Sequence, residues 1–158
     1  MVGPLLFATL MQVPAPTQEI LTAPSYDESI PTLEEVVGHG FREEITHPDE
    51  IVTYFRALVD AAPDRTRLIQ YAQSWEGRPL HVLVIGSPER IADLEGVKAD
   101  LARFSAVKGL SNAEIEELIA KLPVVTALMH GIHGNEITPN GAAMAEAYHL
   151  LAAEGDAT

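Results

Sequence analysis

The residues best suited to chemistry lie together in one segment, His130-Gly131-Ile132-His133-Gly134-Asn135-Glu136. His133 and Glu136 form an H-x-x-E pair. A neutral imidazole nitrogen and a carboxylate oxygen both suit zinc, which holds them at about 2.0–2.2 Å. Glycine at 134 lets the backbone turn, so that two side chains three apart can converge on one ion. Residues 123–129 (PVVTALM), just before this segment, read as a buried strand. An Ala- and Leu-rich helix opened by Thr138-Pro139 follows it and runs toward Gly155. In open α/β sheets, ligands bind beyond the carboxyl ends of strands, which is where this loop falls. H-x-x-E also arises by chance in solvated surface loops, and spacing alone leaves both readings open.

The remaining candidates have plainer readings. His130, three residues before His133, reads as the end of the strand and a shaper of the loop rather than a ligand. Trp75 could line a substrate pocket, but in a hairpin link it reads as a packing cap. Glu76 and Arg78 read as a local ion pair holding that turn. His39, His47, His81 and His149 have no partners at metal spacing and read as structural or solvated. Glu114, Glu116 and Glu117 read as a wet helix face. There is no G-x-S-x-G elbow and no phosphate-binding glycine loop.

The elements that must position the loop are legible from periodicity and caps. Thr46-His47-Pro48-Asp49-Glu50 reads as a helix start, with acids in the first turn where the dipole favours them. Ile51, Phe55, Leu58, Val59 and Ala62 then share one stripe, and Pro63 ends it. Residues 67–73 and 79–85 flank Ser74-Trp75-Glu76-Gly77-Arg78, which suits a β-hairpin. PLHVLVI at 79–85 has apolar residues on both parities, as in a strand covered on both faces. Ser87-Pro88 opens a helix carrying Ile91, Leu94, Val97, Leu101 and Phe104, broken by Lys108-Gly109. Ser111-x-x-Glu114 is a capping box before Ile115, Leu118 and Ile119. The order α-β-β-α-α-β-α argues for an α/β fold.

Composition sets the outer limits. The 158 residues suit one domain with a real core. Hydrophobic residues are 47% and charged residues 21%, which excludes a chain disordered throughout. Ten Lys and Arg against 23 Asp and Glu give a formal charge of −13, a poor match to nucleic acid. Cys is 0, which removes disulfides, thiolate metal sites and cysteine nucleophiles. No apolar run reaches the roughly 18 residues of a membrane span. Residues 1–24 hold an apolar stretch at 2–13 without a basic n-region, and read as a signal peptide or a disordered lead. Cleavage after Ala15 or Ala23 would place Pro16 or Pro24 next, an unfavourable context. Residues 25–45 read as an extended lead-in, and 46–158 as the domain proper.

GIHGNE after an apolar strand resembles the first metal-binding motif of the zinc carboxypeptidase family, the carboxypeptidase A and B superfamily. Ser74-Trp75-Glu76-Gly77-Arg78-Pro79-Leu80 is similar to the hairpin that precedes the zinc motif there. The resemblance covers roughly residues 43 to 155, and the lead-in SYDESIPTLEEVVGH is similar to the start of large secreted bacterial members. It implies a three-layer α/β/α fold with a mixed sheet and a Zn2+-dependent peptide hydrolase. His133 and Glu136 would be the first two zinc ligands, and peptide or protein C-termini the substrates. It also implies a secreted or periplasmic location. The family's third ligand, a histidine, and its general-base glutamate come later in sequence than these 158 residues. The chain therefore reads as an N-terminal portion, expected to be inactive alone, to bind zinc weakly and to associate. Asn135 stands where many digestive-type members carry arginine, so no arginine there can contact substrate.

Two other functions fit parts of the pattern. Amide hydrolases of the aspartoacylase or succinylglutamate desuccinylase type also carry an H-G-N-E zinc motif and act on N-acyl amino acids; the long lead-in and the SWEGRPL hairpin favour the peptidase branch. A catalytically silent binding domain is the reading expected if a downstream histidine and glutamate are lacking.

Overall fold

The computed structural model describes residues 21–106 and 108–155. The apolar stretch at 2–13 lies outside them. The elements in chain order are β1 (Ser25–Tyr26), α1 (Leu33–Val37), α2 (Pro48–Ala61), β2 (Thr66–Gln73), β3 (Pro79–Ile85), α3 (Pro88–Ala92), α4 (Leu94–Ala106), α5 (Asn112–Lys121), α6 (Thr138–Ala152) and β4 (Ala153–Glu154). The architecture is mixed α/β with two small antiparallel sheets, β1 with β4 and β2 with β3. No helix among the described residues is long and apolar enough to cross a membrane.

The core forms where α1, α2 and α6 meet the inner face of β3. Ile30, Leu33, Tyr54, Leu58, Ala62, Met144, Ala147, Leu151 and Ala152 are buried in one cluster, with Leu83 and Ile85 packed against it. Tyr54 belongs to the buried face of α2, although the apolar stripe read from the sequence omitted it. Its ring is fully buried and its hydroxyl donates to the Pro31 carbonyl at 3.2 Å, so the polar end costs nothing unsatisfied. Burial pushes the Tyr54 hydroxyl's pKa up, well beyond any physiological pH.

The lead-in does more than extend. Thr32 and Glu35 close a capping box that starts α1, and Gly38 ends it at φ +90°. The short helix escaped periodicity because five residues are fewer than two turns. Ile30 and Leu33 thereby enter the core, and β1 pairs with β4 so that Ser25 lies opposite Glu154. Tyr26 stacks on Tyr148 with centroids 5.4 Å apart. The last helix accordingly ends at Ala152 rather than at Gly155. Its final carbonyls are capped by Arg65, whose guanidinium donates to the oxygens of Leu151 at 2.9 Å and Leu150 at 3.0 Å.

The hairpin forms where expected, with β2 and β3 in antiparallel register from Thr66↔Ile85 to Gln73↔Pro79 and an irregularity between Gln70 and Ala72. The Ser74 amide donates to the Arg78 carbonyl at 2.8 Å and the Gly77 amide to the Ser74 carbonyl at 2.9 Å. Gly77 sits at φ +78°. Glu76 and Arg78 pair at 3.1 Å. Trp75 is not a packing cap. Lying beyond the last strand pair, its side chain is fully exposed and rests on nothing described. Nor is β3 covered on both faces. Leu83 and Ile85 face the core, but Leu80 and Val82 are exposed, because this sheet has only two described strands.

Two further expectations change. The helix after Ser87 is broken at Asp93 into α3 and α4. Residues 123–129 form no strand ladder, and Val124, Val125, Leu128 and Met129 are exposed. A strand is defined by its neighbours, and no described strand lies alongside to accept those hydrogen bonds.

Two predictions follow from local chemistry. Gly77→Val should destabilise the protein by about 1 kcal/mol or more, because a β-branched residue resists positive φ; an unchanged denaturation midpoint would refute the turn's dependence on glycine. At the helix starts, the Thr32 amide and hydroxyl hold Glu35 below the usual glutamate range, and the Ser111 amide and hydroxyl do the same for Glu114. A carboxylate whose folded pKa is depressed adds stability above its unfolded pKa and loses it as pH falls through the folded one. Both helix starts should therefore weaken below about pH 4, read as carboxyl NMR titration midpoints lower than those of the unfolded chain.

Candidate metal centre

The loop bearing the candidate ligands leaves the extended segment at His130 and enters α6 at Thr138. Its first constraint is Gly131, at φ +72°. A Cβ there would lie 3.0 Å from Asn140 Oδ1 in the first turn of α6. Any side chain at 131 would be strained twice, by its backbone and by this close approach. The chain then turns over His133-Gly134-Asn135-Glu136, closed by the Glu136 amide donating to the His133 carbonyl at 3.1 Å. That four-residue turn brings the two side chains together. Gly134 is not in the left-handed region, and a Cβ there would meet nothing within 4 Å. The glycine that the loop geometry requires is Gly131 rather than Gly134. The sequence could not separate the two, because the close neighbour belongs to the next helix.

His133 Nδ1 lies 2.9 Å from Glu136 Oε1. Both side chains are more than half exposed. A carboxylate accepts only, so in this arrangement Nδ1 carries the hydrogen. Two donors bound tetrahedrally at zinc distances would be separated by about 3.4 Å. The pair sits about 0.5 Å closer than two zinc ligands would, at hydrogen-bond distance with a proton between the two atoms. Taking up a metal at Nδ1 means breaking this hydrogen bond and presenting that nitrogen without its hydrogen.

His130 points elsewhere. Its Nε2 lies 3.1 Å from Glu146 Oε2 on α6, and both side chains are partly covered. It shapes the loop, as its position at the end of residues 123–129 suggested. Among the described residues no group of three or more His, Cys, Asp or Glu is placed to hold a metal. The other histidines are spread through the fold. His39 is buried, with Nδ1 3.3 Å from the Gly40 carbonyl and Nε2 3.8 Å from Glu50. His47 caps α2 and His149 bonds the Tyr26 hydroxyl at 3.1 Å. Glu114 caps α5 and pairs with Arg103 at 2.6 Å, a structural use beyond a solvated face.

The family model for peptidase M14, zinc carboxypeptidase, matches residues 51–158. The chain belongs to the zinc carboxypeptidase family. That match takes in α2 from Ile51 onward, the β2–β3 hairpin, α3 to α5 and the whole loop with His133 and Glu136. The zinc carboxypeptidases are zinc-dependent peptidases, so two facing N and O donors suit the family's metal. No curated protein and no solved structure matches the chain.

The two glycines give a direct test. Gly131→Ala should lower stability by about 1 kcal/mol, whereas Gly134→Ala should stay within about 0.5 kcal/mol. Thermal denaturation of both variants decides it; equal effects would refute the assignment of the constrained position.

Proposed function

We propose that this chain carries the first two zinc ligands, His133 and Glu136, of a metallocarboxypeptidase-like peptide hydrolase. The observation that carries the reading is the 2.9 Å approach of His133 Nδ1 to Glu136 Oε1 inside a zinc carboxypeptidase match. Bound Zn2+ would polarise the scissile carbonyl and make water nucleophilic. The chain's own residues supply and orient the donors. The turn at 133–136 sets their separation, Gly131 allows the loop to approach α6, and His130 ties the loop's near end to that helix. The third ligand and the general base lie outside the described residues. In this reading, residues 123–129 become a strand of a three-layer α/β/α mixed sheet once neighbouring strands pair with them. Substrates are peptide or protein C-termini, and the protein works outside the cytoplasm, secreted or periplasmic.

In the full-length protein, His133→Ala should abolish stoichiometric zinc and peptidase activity on blocked dipeptides while the circular dichroism spectrum is retained. His130→Ala should keep one zinc per chain, since it is not a ligand. Full zinc occupancy in His133→Ala would overturn the assignment. Normal zinc without turnover in the unaltered protein would point to a silent binding domain instead.

A further inference from the structure

Residues 131–138 are exposed throughout, so packing does not hold the loop that carries His133 and Glu136. Both its ends are nevertheless fixed to one rigid body. The far end runs into α6 at Thr138. The near end is tied back by His130 Nε2 to Glu146 Oε2 at 3.1 Å. Among the described residues this is the only side-chain hydrogen bond from the loop to the rest of the protein. Glu146 stands two turns along α6, about 12 Å from the helix start. Its neighbours Met144 and Ala147 are buried in the core, so the carboxylate is presented from a backbone that cannot drift. The loop is a closed clasp whose two anchor points share one helix.

The geometry points to Glu146 as a positioning residue for the metal centre, acting through His130. This inference rests on the metal reading given above. An exposed loop fixed at one end samples many separations between two side chains. Fixing the second end removes much of that freedom, and the entropy is then not lost when the ion binds. The carboxylate also selects the tautomer of His130. Accepting from Nε2–H, it leaves Nδ1 without hydrogen, so the ring is held in one orientation. A carboxamide at 146 can accept the same hydrogen, whereas a methyl group cannot.

The test is Zn2+ titration of the full-length protein, followed by calorimetry and by imidazole 1H–15N resonances, beside its variants. Glu146→Ala should weaken Zn2+ binding by about tenfold at unchanged stoichiometry, and Glu146→Gln should remain within about threefold of the unaltered chain. His130→Ala should match Glu146→Ala, and the double variant should be no weaker than either, because one contact is lost in each. The spectra should show His130 as the Nε2–H tautomer in the unaltered chain and a mixture in Glu146→Ala. Lowered thermal stability with unchanged affinity in Glu146→Ala would overturn the positioning role, as would additive losses in the double variant. Failure of the metal reading looks different: no saturable shift of His133 in the unaltered chain, or undiminished binding by His133→Ala.

Discussion

The burial of one face of α6 is the constraint on which the rest depends. Met144, Ala147, Leu151 and Ala152 enter the same cluster as Leu33, Tyr54 and Leu58. Removing that much apolar surface from water fixes the helix against α1 and α2. Its C-terminal end is fixed again by Arg65 and by the β1–β4 pairing. Its N-terminal end is left free to receive the exposed loop. A core remote from the loop therefore determines where the two candidate ligands, His133 and Glu136, can stand. Precision at the solvent-facing site comes from packing some two or three turns away, on a rigid element rather than within the loop.

Charge is arranged with the same economy. Acids outnumber bases by more than two to one, yet several acids have specific structural partners. Glu35, Glu50 and Glu114 each accept the amide of the residue before their own helix. The Ser29 hydroxyl, and then the Ser29 amide that donates to Asp27 at 2.8 Å, hold the Asp27 carboxyl below the usual aspartate range. Anions at helix starts meet the positive ends of helix dipoles, which offsets part of the mutual repulsion.

How much of this was legible in the sequence depends on how local each cause is. The Ser111–Glu114 capping box, the proline at the start of α2 and the glycine in the hairpin each depend on residues close in sequence and could be read directly, whereas the equally local Thr32–Glu35 box was passed over within a segment read as extended. The pairing of Glu76 with Arg78 and the separation of His130 from the candidate ligands were equally accessible. Tyr54 escaped because the stripe of Ile51, Phe55, Leu58, Val59 and Ala62 was complete without it. Its burial needs the Pro31 carbonyl, which lies 23 residues away. The choice between Gly131 and Gly134 required Asn140. Residues 123–129 were read as a strand from apolarity alone, but ladder pairing requires partners that the described residues do not supply. The candidate pair sits between these cases. His133 and Glu136 were visible as types and spacing, while their convergence required the turn's backbone hydrogen bond.

The extended run before the loop also bears on how the protein is made. From Leu122 to Asn135 there is no Asp, Glu, Lys or Arg, in a chain whose net charge is −13. The repulsion that keeps acidic polypeptides apart is therefore weak along this stretch, where apolar side chains and unpaired backbone groups coincide. Pro123 is its one built-in interruption. Such a stretch is a template for cross-β stacking between nascent copies until strands of its own chain occupy it. The stretch leading into the candidate metal loop is thus also one along which copies of the chain can pair edge to edge.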